Sequence, residues 1–408
     1  MKIVFGHRTL SRLHEGPLGS YIDSYLELLN EQGFSHESAE EQVRLIVGFG
    51  RWLDENGYKA EDVSQEKADR FLKCRYLHLR PQRGDSAALH RLSDLLCRMG
   101  VISLHAAPVT PCDKLLDDFR QYLAQERALC EKTLKTYLPY VRKFLCEKFD
   151  GVTIDCSQLC AQDVSRFVRL HAQDCSLSHA RNMTKALRSF LRYLHVWGDL
   201  AAELAACVPA VAGWSLSDIP KFLEPDQVQQ VLDHCNLQTA IGFRDRAILL
   251  LLARLGLRAG EVAFLKIEDI DWEAGQITVH GKGGSSDQLP LPADVGKAIA
   301  TYLQKGRPMC SNRYVFVRAR APRRGFAGAS AIDSVVRCAL ARAGIDSQRK
   351  GAHLFRHGLA TQMLRRGGSL SEIGSILRHR DPNTTAIYAK VDLPALRELA
   401  RPWTGGEL

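Results

Sequence analysis

One helical rhythm runs twice through the first two hundred residues, and this repetition constrains the fold more than any other feature of the chain. Apolar residues recur at i, i+3, i+4 and i+7, the spacing that lines one face of an α-helix. The first copy opens at residues 21–29 and continues with Val43, Ile46, Val47, Phe49 and Leu53 on a second apolar face. A short run at 64–72 follows, and a last helix at 88–96 ends at Gly100. The second copy opens at 115–123, continues with Leu134, Tyr137, Leu138, Val141, Phe144 and Leu145, passes a short run at 163–167, and closes on 185–194 before Gly198. Asp69-Arg70-Phe71 falls in line with Ser165-Arg166-Phe167. A period of about 95 to 98 residues is too long for a solenoid unit and suits a duplicated small domain. Two unrelated helical bundles would share the same rhythm.

Proline and glycine mark the joints. Residues 106–111 carry Pro108 and Pro111, and the weakly periodic stretch near 208–220 carries Pro209, Gly213 and Pro220. Three segments result: a helical N-terminal domain at 1–107, a second helical domain at 108–212, and a third at 213–408. In the third, helical patterns persist but short alternating runs appear. Residues 276–280 and 288–292 flank Gly281-Lys282-Gly283-Gly284, which predicts a β-hairpin. The expected fold class is mainly α with a small antiparallel sheet in the C-terminal domain (α+β).

Charge narrows the partners. The net charge is +9 and the pI about 9.0, which favours a polyanion, most simply nucleic acid. Composition alone would also fit many ribosome-associated or merely basic proteins. The 12 cysteines form no C-x-x-C pair, so zinc-site spacing is absent and reduced thiols are expected. No run of about 18 apolar residues predicts a membrane span. The first residues lack an apolar signal core. Both point to a cytoplasmic protein.

Four islands in the third segment carry chemistry. Arg258 stands at a corner after an apolar helix: Gly256 can end that helix, and Glu261 falls in the first turn of the next. Lys282 lies on the hairpin turn. His353-Leu354-Phe355-Arg356-His357 begins a helix, which places His353 and Arg356 on one face and allows His357 to share it. The zinc reading of His353 and His357 lacks the carboxylate of the His-Glu-x-x-His pattern. Leu377-Arg378-His379 precedes a break at Pro382, after which Thr384 or Thr385 can cap a helix carrying Tyr388. Each residue alone has an ordinary reading: a surface arginine, a solvated lysine, a packing tyrosine.

Together, the order Arg…Lys…His-x-x-Arg…His…Tyr resembles the catalytic domain of tyrosine recombinases (phage integrases, Xer-type recombinases, Cre). Residues 352–361 resemble the family's central box, and Leu377-x-His379…Thr384-Thr385-x-x-Tyr388 its nucleophile box. The match covers roughly 220–392. Residues 108–212 resemble the family's SAM-like core-binding domain, with weaker motifs, and 1–107 would be its duplicate. Three positions depart from the pattern. Arg378 stands where Gly is usual, Gly358 where a hydroxyl residue is common, and Phe355 where Leu is usual.

The resemblance implies a DNA-cutting and rejoining enzyme. Tyr388 would attack a phosphodiester to give a 3′-phosphotyrosyl link and a free 5′-hydroxyl, conserving the bond energy without ATP. Arg258 and Arg356 would hold the phosphorane oxygens. Lys282 would protonate the leaving oxygen, His353 would accept the phenolic proton, His379 would bond the phosphate, and Glu261 would orient Arg258 or a histidine. No metal or other cofactor is implied, because these side chains supply the positive charge. The implied partners are double-stranded DNA with paired recombination sites and further copies of the chain, in a tetrameric synapse with strand exchange through a Holliday junction. Sister recombinases are possible partners. The second segment and the catalytic domain would clamp the duplex, with Lys132, Lys135, Arg142, Lys143, Arg181, Lys185 and Arg188 as candidate phosphate contacts. The first segment is more acidic and points to protein contacts or an extended clamp. Leu393, Leu396, Leu399 and Ala400 form an apolar stripe that, as in the family, is expected to dock on a neighbouring protomer, with packing on its own domain as the alternative. Integration, excision or transposition of a mobile element is the expected role. A type IB topoisomerase and a DNA-binding accessory protein that has lost cleavage are the alternatives.

Overall fold

The computed structural model describes residues 14–82, 84–102, 110–149, 153–211, 219–281, 284–391 and 396–397. The chain divides into two compact units, residues 105–217 and the remainder.

Residues 14–102 form four helices: α1 (Ile22–Glu31), α2 (His36–Glu55), α3 (Gln65–Tyr76) and α4 (Asp85–Arg98). Ser35 caps α2 and Ser64 caps α3 through their side-chain oxygens, which satisfies amides that no helix bond can reach. A 3-10 turn at Ala60–Asp62 separates α2 from α3. Tyr25, Leu29, Ile46, Phe49, Leu53 and Leu96 fill the core. Within this first unit the Arg323 amide donates to the Gln32 carbonyl (2.8 Å).

The second unit repeats the order: α5 (Pro111–Gln125), α6 (Glu131–Lys148), α7 (Ala161–Ala172) and α8 (Leu177–Val196), with a 3-10 turn at Cys156–Gln158 before α7. Thr110 opens α5 with a capping box completed by Asp113, and Pro111 sits in the first turn, where its missing N–H costs nothing. Phe119, Phe144, Leu187, Phe190 and Leu194 are fully buried. Gly100 and Gly198, each just beyond the last helix of its copy, both adopt positive φ.

The remaining region contains α9 (Pro225–Asp233), α10 (Ala240–Leu255), α11 (Ala259–Ala263), strands β1 (Ile270–Asp271), β2 (Gln276–His280) and β3 (Ser286–Pro290), then α12 (Ala293–Thr301), α13 (Ala329–Arg342), α14 (His353–Arg365) and α15 (Leu370–Ile376). The protein is thus mostly helical with one small antiparallel sheet, in the order β1-β2-β3. Residues 247–252 of α10 are all buried, as a helix apolar on every side requires. α10 packs against α12, α13 and α14 and forms the axis of this core.

Two expectations shift. The hairpin's second strand runs at Ser286–Pro290 rather than 288–292, because Ile277 pairs with Leu289 and His280 with Ser286. This register buries Ile277 and Val279 while polar side chains alternate outward. The segment carrying Tyr388 is no α-helix but a 3-10 turn at Ala386–Val391, following another at Pro382–Thr384. The Thr385 side chain bonds a histidine instead of capping a helix.

Candidate active site

Gly256 ends α10 in the left-handed conformation, at φ 56. A Cβ there would lie 2.9 Å from Leu377 and 3.0 Å from Leu359, so both backbone and space favour glycine. The chain turns, and Arg258 caps α11. Glu261 accepts the Arg258 amide on Oε2 (2.8 Å) and the guanidinium Nη1 on Oε1 (2.7 Å). Arg258 Nη2 donates to the Arg378 carbonyl (3.0 Å). The guanidinium is pinned at two points yet 37 % exposed, so it still offers a face to a ligand.

Arg356 is buried. Its Nη1 donates to the Gly256 carbonyl (2.5 Å) and its Nη2 to the Leu377 carbonyl. Burial, and then neighbouring Arg258, push its pKa down to about 10, so it remains charged at neutral pH. Two guanidiniums near enough for Arg258 to depress Arg356 suit an anion that binds between them.

Tyr388 is 1 % exposed. Its ring lies between two imidazoles, with centroids 5.6 Å from His357 and 6.4 Å from His379. The phenol oxygen lies 2.9 Å from His357 Nδ1. Burial raises the phenol to about 12, opposed by Arg356. Burial also lowers His357 and His379 to about 4, with added repulsion from His353 on the first and from Arg356 on the second. Both imidazoles are therefore neutral at pH 7. Neutral His357 Nδ1 and the Tyr388 hydroxyl share a hydrogen bond. His379 Nδ1 pairs with the Thr385 hydroxyl (2.7 Å), leaving Nε2 for another partner.

His353 begins α14 and is exposed, its ring 5.9 Å from that of His357. Desolvation and Arg356 lower its pKa. Arg258, Arg356, His379, Glu261 and Tyr388 thus converge, with His353 alongside, while Lys282 falls outside the described residues. Sequence reasoning placed His353 nearest the phenolic proton, yet His357 is the histidine that touches the phenol. Its position four residues after His353 on one helix was the available signal. Arg378 was also missed as a member of the cluster, although its substitution for the usual glycine flagged it. Among the described residues, no group of three or more His, Cys, Asp or Glu is placed to hold a metal ion.

A Sinorhizobium fredii protein named for a proposed integrase/recombinase role is 46 % identical over 97 % of this chain and 97 % of its own length. The chain belongs to the tyrosine recombinase (phage integrase) family. It is a DNA breaking-rejoining enzyme of the site-specific recombinase/integrase type. Residues 221–393 match the phage integrase family, and residues 116–196 the phage integrase N-terminal SAM-like domain. The tyrosine recombinase XerC of Shewanella amazonensis is 30 % identical over 70 % of this chain and 93 % of its own. In fold, the chain resembles the XerH recombinase bound to a palindromic difH substrate (TM-score 0.54, 19 % identity, 71 % of this chain and 86 % of that one). It also resembles a lambda integrase dimer bound to a core site (TM-score 0.52, 15 % identity, 72 % and 98 %).

The recombinase's candidate phosphate contacts divide by what already engages them. Lys132, Lys135 and Lys185 are exposed, and Lys135 only grazes Glu131 at 4.0 Å. Arg142 pairs with Asp113 at 2.7 Å, and Lys143 lies against His171 and Glu147. Arg188 donates to the Val208 and Pro209 carbonyls. Arg181 is half-buried. No described helix is long and apolar enough to cross a membrane. In the tail, Leu393 and Leu399 to Ala400 lie outside the described residues.

Proposed function

We propose that the protein exchanges strands between paired DNA sites through a 3′-phosphotyrosyl intermediate made by Tyr388, in the integration, excision or transposition of a mobile element. The observation that supports this best is the placement of the Tyr388 phenol beside two neutral imidazoles and a buried arginine, with Arg258 presenting a second guanidinium. The phenol oxygen bonds to phosphorus as the bond to the 5′-oxygen breaks. The phenolic proton passes to a histidine, and Lys282 gives a proton to the departing oxygen. Arg258, Arg356 and His379 Nε2 hold the non-bridging oxygens, where loss of one such contact costs roughly 10²–10³ in rate. Reversal with another strand's 5′-hydroxyl rejoins the DNA and passes through a Holliday junction.

The working assembly is a tetramer on two duplexes in the nucleoid. Residues 1–107 are an added helical domain, 108–212 the core-binding domain, and 213–408 the catalytic domain and tail. His353 takes the proton once Tyr388 has turned toward the phosphate and left His357. The deciding experiment traps the enzyme on nicked suicide DNA carrying candidate half-sites from the flanking genome. A covalent adduct is expected with the wild type and not with Tyr388→Phe. An adduct that persists in Tyr388→Phe would overturn the assignment. Relaxation of plasmids lacking paired sites would favour a topoisomerase instead.

A further inference from the structure

We propose that Arg378 is a positioning residue that ties the Arg258 corner to the β2–β3 hairpin, so that the phosphate-holding and proton-donating sides of the pocket share one frame. This rests on the reading above. Arg378 follows α15 in the left-handed conformation, at φ 56. Its amide donates to Ser375 (3.0 Å) and that of His379 to Gly374 (2.8 Å), a helix ending at which glycine is the unstrained residue. A long charged side chain held against that preference must be compensated by its contacts.

Those contacts join two elements. The guanidinium is only 8 % exposed. Its Nη2 donates to Glu261 Oε2 at 2.7 Å, and its Nε lies 3.7 Å from Asp287 Oδ2. Glu261 belongs to α11 and also holds Arg258; Asp287 belongs to β3. The sequence joining β2 to β3 contains Lys282. Meanwhile the Arg378 carbonyl receives Arg258 Nη2. One residue thus grips Arg258 through its own backbone and through Glu261, and reaches the hairpin through Asp287.

The Glu261 side chain is 4 % exposed and is shared by the Arg258 and Arg378 guanidiniums, so a nearly enclosed carboxylate fixes Arg378 to α11. The Arg378 Nη1 is buried with no hydrogen-bond partner among the described residues.

The test is single-turnover cleavage of nicked half-site DNA by the full chain, with either oxygen or sulfur bridging phosphorus to the 5′-carbon. A thiolate leaves without a proton, so the sulfur substrate bypasses the hairpin's contribution. Arg378→Gly relieves the backbone strain and should melt no lower than wild type. It should cleave the oxygen substrate about tenfold more slowly and the sulfur substrate within about threefold of wild type. Arg378→Lys should recover part of the loss. Asp287→Asn should repeat the pattern more weakly and add nothing to Arg378→Gly. Cleavage of the oxygen substrate by Arg378→Gly at the wild-type rate, or equal loss on both substrates, overturns the proposal. If Arg378→Gly does not fold, Asp287→Asn decides by the same criteria. Absence of any wild-type adduct would instead count against the proposed function itself.

Discussion

Tyr388 as it stands is a poor nucleophile, and the reason lies in its immediate neighbours. A phenol at about 12 facing an imidazole at about 4 would lose its proton only at a cost on the order of 10 kcal/mol. On the proposed reading, this hydrogen bond holds Tyr388 neutral and the 3-10 turn would have to move before attack. Burial is the first cause of the phenol's raised value, so release from this packing would lower it again. A pH dependence follows. His357 and His379 titrate near 6.5 when unfolded and near 4 when folded. Depressed values mean that the neutral forms favour the folded state; this stability is intact above about 6.5 and is lost as pH falls through about 4, by up to a few kcal/mol. Melting temperature should drop across that window, and His357→Gln should flatten the drop. Superimposable wild-type and variant profiles would contradict the pKa argument.

At the scale of elements, the helices of the two N-terminal copies were legible because each carries a buried apolar stripe. Ser35, Ser64, Thr110 and Ser176 each accept a first-turn amide of the helix that follows them, a signal that the apolar spacing leaves unused. The hairpin register and the Tyr388 turn were not legible. Strand pairing depends on which face the core covers, and the turn depends on Thr385 being drawn to His379, a contact that spacing does not reveal. Most of the pocket's residue types could be listed from sequence order. That His357 touches the phenol could not, since only the folded position of the turn decides between two histidines on one helix. Gly358 shows how packing overrides a family habit: a Cβ there would lie 2.7 Å from the Leu223 carbonyl oxygen. Gly358→Ser, although closer to the usual pattern, should destabilise the protein by about 1–3 kcal/mol, because α14 would have to lift from that backbone. Denaturant unfolding measures this directly, and an unchanged midpoint would show that the contact yields freely.

Across the whole molecule, the described residues form four hydrophobic clusters that are separate in sequence, and the one at residues 112–208 lies within a single compact unit. A fragment spanning 110–211 keeps every residue of that core together with the Thr110 cap of α5. Expressed alone, it should melt cooperatively with helical circular dichroism; a fragment without a cooperative transition would show that it borrows stability from elsewhere. The same unit separates two kinds of basic residue. Arg188 is engaged by the Val208 and Pro209 carbonyls, so Arg188→Ala should lower the fragment's melting temperature by removing a charge-assisted clasp on its last turn. Lys132 and Lys185 are exposed. If either meets a phosphate, its replacement by alanine should leave melting unchanged and weaken DNA binding about equally on all sequences. The slope of log affinity against log salt should then fall by about one, since each neutralised phosphate releases roughly one counterion. Titration of the full chain with duplex DNA at several salt concentrations measures that slope. An unchanged slope in both lysine variants would remove α6 and α8 from the DNA-facing surface.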